Sequence, residues 1–118
     1  MDKKPDLNSA SLITLNYNEF RKEIMGDKNI VIIAFVVGWS GSSQILDQIL
    51  EKLDDGISEK VKILKLDAEK NSALATTFNI TTFPSLVFFK RGEIADIMSG
   101  LVSQKELLLR LTEHLNTE

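Results

Sequence analysis

The chain has 118 residues, 43% hydrophobic and 26% charged, which suits one soluble domain with a single core and leaves no room for a second domain. Fourteen Lys and Arg against 17 Asp and Glu give a net charge of −3, so no general basic field is offered to nucleic acid or to an anionic membrane. Cysteine is absent and His114 is the single histidine, which excludes disulfide exchange, thiol catalysis, thiolate metal ligation and an imidazole metal cluster; no metal or cofactor is expected.

Residues 1–10 are polar and include Pro5, Asn8 and Ser9, the pattern of a flexible lead-in to a single domain over 11–118. The start, Met1-Asp2-Lys3-Lys4-Pro5, carries no apolar leader, and no apolar run reaches membrane-spanning length, so a cytoplasmic location is expected. Leu12, Ile13 and Leu15 suggest a short strand. Asn16 or Asn18 then caps a helix carrying Phe20, Ile24 and Met25 and ending at Gly26. Asn29 to Val37 is nearly unbroken β-branched and apolar sequence, a strand buried on both faces at the sheet's centre.

Gly38-Trp39-Ser40-Gly41-Ser42-Ser43 interrupts that pattern, after which Ile45, Leu46, Ile49, Leu50 and Leu53 recur at helical spacing as far as Asp54-Asp55-Gly56. Val61 to Asp67 reads as a second central strand, and Asn71 to Phe78 as a short helix. Pro84 precedes a strand over Ser85 to Lys90, Arg91-Gly92-Glu93 turns a hairpin, Ile94 to Met98 returns, and Leu101 to Leu115 forms an amphipathic last helix. The order β-α-β-α-β-α-β-β-α predicts an α/β class fold, three-layer α/β/α around a central mixed sheet with a parallel half and a hairpin half.

Four stretches in this order resemble the thioredoxin family, from about Leu12 to Leu115. Trp39-Ser40-Gly41-Ser42-Ser43 is similar to the family's Trp-Cys-Gly-Pro-Cys turn, and Lys65-Leu66-Asp67 to its Lys-Val-Asp-like strand end. Phe83-Pro84-Ser85, with the following Leu86 to Glu93, is similar to its Ile-Pro-Thr segment, and Gly100 to its late glycine. The resemblance implies the thioredoxin fold, a cis bond before Pro84, and a groove in which backbone groups of Thr82 and Phe83 pair with an extended peptide. Trp39, Ser40, Gly41, Ser42, Thr82, Phe83, Pro84, Ser99, Gly100 and Leu101 are the residues that such a groove would use.

The departures matter as much. Both redox cysteines are replaced by hydroxyls, at Ser40 and Ser43, and a serine forms no reversible S–S bond. The buried Asp that serves the family's second thiol as proton acceptor is Ala34 here, so Lys65, its partner in the family, is expected to have no buried acid to meet. Two functions therefore stand side by side. One is a redox-inactive, thioredoxin-like protein-binding module, adaptor or chaperone-like, working as a monomer or weak dimer on another protein's extended segment. The alternative is a thioredoxin, a protein-disulfide oxidoreductase, with both active-site cysteines mutated to serine; only that parent would be an enzyme.

Simpler roles exist for the same residues. Ser40 can cap the helix that follows it, and Trp39 can shield the turn. Pro84 can merely shape the start of its strand. In Gly38-Trp39-Ser40-Gly41-Ser42 the second glycine, Gly41, is displaced from a G-x-S-x-G elbow, and His114, the one available base, sits where it would stabilise the last carbonyls of a helix. Asp67 has the default reading of an acid in a strand-end loop.

Overall fold

The computed structural model describes residues 14–26, 29–38, 41–53, 57 and 59–116. The expected lead-in over 1–10 and residues Leu12 and Ile13 of the expected first strand lie outside them. Leu15 is irregular backbone, tied by its N–H to the Asn71 side-chain oxygen at 2.9 Å. Helix α1 follows, Tyr17–Ile24, begun by a reciprocal capping box. The Asn16 side chain accepts from the Glu19 N–H while the Glu19 carboxylate accepts from the Asn16 N–H, so Asn16 rather than Asn18 is the cap.

Strand β1, Ile30–Val36, is buried at every position because elements cover both of its faces. It pairs in parallel with β2, Val61–Asp67, and antiparallel with β3, Ser85–Lys90, which in turn pairs antiparallel with β4, Glu93–Ser99. Among the described residues the sheet is four-stranded and mixed, in the order β2-β1-β3-β4. Helix α2 runs Gly41–Glu51, α3 Ser72–Thr77 and α4 Gln104–Leu115.

Alternation along the strands sends side chains to two cores. Ile30, Ile32, Ala34 and Val36 of β1 join Leu46 and Leu50 of α2, Phe88 of β3 and Leu107 and Leu111 of α4. Val31, Ile33 and Phe35 join Phe20 and Ile24 of α1, Leu74 of α3 and Phe89. Phe20, Phe78 and Phe89 close the second core, their ring centroids 5.4 to 5.7 Å apart. The β3–β4 loop is the two residues Arg91 and Gly92, both at positive φ, 55° and 83°, as the primed hairpin turns that follow strand twist require.

Helix α2 starts at Gly41, where the reading of Ser40 as a helix cap puts it. One boundary differs from expectation. Helix α4 starts at Gln104 and not Leu101, because the Ser103 hydroxyl accepts from the Glu106 N–H at 3.0 Å and caps it there. No helix among the described residues is long and apolar enough to cross a membrane.

Candidate functional site

The parallel pairing of β1 with β2 and the antiparallel pairing of β1 with β3 bring three chain segments to one end of the sheet. Val36 and Asp67 end their strands together, and Ser85 begins β3 opposite Phe35. Helix α2 rises from that same end only a few residues after β1. Ser85 in turn faces Ser99, so the entry to β3 and the exit from β4 lie side by side. Thr82, Phe83 and Pro84 are thus gathered with Ser99, Gly100 and Leu101. Gly41 and Ser42, in the first turn of α2, open onto the same end of the sheet. Trp39 and Ser40 lie outside the described residues.

Pro84 is buried, and the Phe83–Pro84 peptide bond is cis. Around it the backbone is mostly engaged. The Thr82 carbonyl accepts from the Ser85 hydroxyl at 2.5 Å, and the Pro84 carbonyl accepts from the Gly100 N–H at 2.8 Å. Between them the N–H and C=O of Phe83 have no partner among the described residues. The flanking apolar groups are open to solvent: Phe83 is 36% and Leu101 44% exposed. Gly100 sits at φ 82°, and a Cβ placed on it would meet none of the described residues within 4 Å.

Beneath this end lies a feature the sequence reading got wrong. Ala34 and Lys65 are register partners on adjacent parallel strands, and parallel neighbours point the same way. Lys65 shares the face of Val61 and Ile63, under α2, and its side chain is 2% exposed. Its ammonium meets Asp47 Oδ1 at 2.6 Å, the carboxylate descending from α2. The expectation that Lys65 has no buried acid is therefore corrected: the acid comes from the helix above and not from the neighbouring strand. Asp47 went unnoticed because one acid between Leu46 and Ile49 reads as a solvated helix charge. Its place four residues after Ser43, on the face that looks down on Lys65, was the available signal.

Other singled-out residues settle into structural roles. Asp67 Oδ1 accepts from the Glu69 and Lys70 N–H groups at 2.8 and 3.4 Å, closing the turn after β2. His114 uses its ring, not the helix-end carbonyls: Nε2 meets Asp96 Oδ2 at 2.9 Å, and Arg110 Nη1 reaches the same oxygen at 2.8 Å. Burial works to raise the Asp96 carboxyl, but hydrogen bonds from His114, Arg110 and the Ile97 N–H, with the Arg110 charge, hold it below its ordinary value. Among the described residues no group of three or more His, Asp or Glu could hold a metal ion.

Comparison with known proteins places this geometry. The thioredoxin family model matches residues 11–113. Thioredoxin of Buchnera aphidicola is 30% identical over 105 residues, 89% of this chain and 97% of that protein. A thioredoxin-like protein of Synechocystis is 28% identical over 80% of this chain and 90% of its own length. Of the chloroplastic thioredoxin Y1 of Arabidopsis thaliana, which is 25% identical, the chain spans only 59%. Among solved structures, Malassezia sympodialis thioredoxin superposes with a TM-score of 0.74 at 29% identity, covering 87% of this chain and 88% of that one. A mutant thioredoxin of Halobacterium salinarum gives 0.76 at 24% identity over 91% and 92% of the two chains, a likeness of fold. Cysteine-less but carrying the thioredoxin fold, the chain belongs to the thioredoxin family.

Proposed function

We propose that this chain is a redox-inactive member of the family that holds an extended segment of another protein at the end of the sheet formed by Thr82 to Pro84 and Ser99 to Leu101. The observation that carries this reading is the open backbone of Phe83, one donor and one acceptor without a partner among the described residues, set between the exposed Phe83 ring and Leu101. Such a pair of groups is satisfied by one residue of an extended chain laid alongside, the step by which a strand is added. Gly41 and Ser42, in the first turn of α2, border the same end of the sheet, and the sequence puts Trp39 and Ser40 immediately before them. With hydroxyls at positions 40 and 43, a cysteine in the bound segment is not attacked, so the hold is non-covalent. The chain works in this reading as a monomer or weak dimer in the cytoplasm, as an adaptor or a chaperone-like module.

The test is selection of binders from a random peptide library, followed by calorimetric titration of the selected peptide. Leu101→Asp, which puts charge at the apolar rim without touching the core, is expected to weaken binding tenfold or more, as is Trp39→Ala, the removal of an anchoring ring. Affinity unchanged in both variants would dismiss this groove as the working surface.

A further inference from the structure

Strand β4 forms one margin of the sheet, and among the described residues no strand borders its outer side. The Gly100 N–H bonds the Pro84 carbonyl, so antiparallel alternation turns the backbone groups of Met98 inward to β3 and those of Ile97 and Ser99 outward. Glu93–Ser99 contains neither lysine nor proline, the residues that commonly blunt such an edge; the bulge between Phe88 and Phe89 is one protection. Asp96 supplies another. Its Oδ1 accepts from the outward Ile97 N–H at 2.8 Å, and its Oδ2 is held from α4 by Arg110 Nη1 at 2.8 Å and His114 Nε2 at 2.9 Å. The carboxylate thus ties the helix to the edge and occupies the donor that a neighbouring strand would use. Protection matters at this place, because Ile94 and Ile97, register partners of Phe89 and Val87 on the α1 face, stay 44% and 37% exposed beside the edge.

We propose that the outer edge of β4 is a pairing surface for a second copy of this chain, and that the Asp96 carboxylate, pinned by Arg110 and His114, keeps it closed. A second copy fits because pairing β4 with itself is symmetric. In an antiparallel pair centred on Ile97, that residue meets its own equivalent across a two-fold axis, and the two exchange both N–H···O=C bonds. The same register puts each Asp96 opposite the partner's Met98, so the two carboxylates do not face each other, and the two Ile97 side chains meet on the α1 face. With the Asp96 carboxylate in place this exchange fails twice: the Ile97 N–H already has its acceptor, and an anionic oxygen stands where the incoming carbonyl would come. Arg110 and His114 belong to the last two turns of α4, so the guard depends on that end of the helix staying docked.

Sedimentation velocity of the full chain at rising concentration tests this, with the unaltered protein, Asp96→Ala and Asp96→Ala/Ile97→Lys compared. Asp96→Ala is expected to dimerise at least about tenfold more tightly than the unaltered chain, and the added lysine, a charge on the pairing strand, to return the double variant to the unaltered level. Asp96→Ala no more associated than the unaltered chain, or association that survives Ile97→Lys, would overturn the proposal. A second measurement needs no substitution: amide hydrogen exchange in the monomer, where Ile97 and Ser99 both point outward and, among the described residues, only the Ile97 N–H has an acceptor. Exchange at least about tenfold slower at Ile97 than at Ser99, after correction for intrinsic rates, is expected. Equal rates would contradict the guard. Failure of the peptide-library selection bears on the groove alone and leaves both results standing.

Discussion

Removing Asp47 tests the structural half of the account. Asp47→Leu takes away the carboxylate that meets a nearly inaccessible ammonium at 2.6 Å. Breaking one side of a buried ion pair costs about 3–5 kcal/mol. Asp47 itself is 18% exposed, so water can follow into part of the gap, and the expected loss is nearer about 2–3 kcal/mol. For a chain of this length that is a fall in Tm of about 10 °C. Lys65→Met is expected to cost less, about 1 kcal/mol, because the carboxylate left behind is the wetter partner and can rehydrate. Joining the two changes replaces the pair by apolar side chains, and the cost should shrink to near zero. The assay is urea denaturation of the four proteins followed by far-UV circular dichroism, read as a double-mutant cycle. Single costs that simply add in the double variant, or a Lys65→Met more damaging than Asp47→Leu, would refute the reasoning.

Three further outcomes follow from the same coordinates. Asp96 is held below its ordinary carboxyl value, so its contribution to stability is present above that value, near 3.8, and is lost as pH falls through the lower folded one; Asp96→Asn should flatten that stretch of the acid limb in urea melts at stepped pH, and an unaltered limb would contradict it. Asn71 is buried, accepting from the Leu15 N–H at 2.9 Å and donating to the Asp67 carbonyl at 2.8 Å; Asn71→Ala should cost about 1–2 kcal/mol in chemical denaturation, since it leaves the Leu15 N–H without its acceptor while the Asp67 carbonyl keeps the Asn71 backbone N–H. Arg91 holds φ 55° in the hairpin turn, a conformation that asparagine adopts more easily; Arg91→Asn should raise stability by about 0.5–1 kcal/mol, visible as a higher urea midpoint with unchanged slope.

The strongly periodic parts of the fold were legible from residues alone. The run Ile30 to Val36 announces a strand covered on both faces, whereas Phe83-Pro84 and Gly100 pointed to the end of the sheet with the candidate groove only through the resemblance to the thioredoxin family. The start of α2 at Gly41 was legible through the reading of Ser40 as a helix cap, although Gly41, Ser42 and Ser43 are weak helix formers. The start of α4 carried a readable signal in Ser103 and Glu106, the spacing of a capping pair. Asp47 and Asn71 were illegible for a different reason. Their roles depend on what another element brings to them, Lys65 through the β1–β2 register and Leu15 through a long-range backbone contact. Local pattern holds no record of such contacts.

The most direct test of the central claim is amide hydrogen exchange at Phe83 with and without a library-selected peptide bound. Main-chain pairing in the groove predicts that the Phe83 N–H, open in the free protein, exchanges at least about tenfold more slowly in the complex, while amides on the solvent face of α4 such as Leu109 are unaffected. Saturating binding with no protection at Phe83 would contradict strand addition at this site.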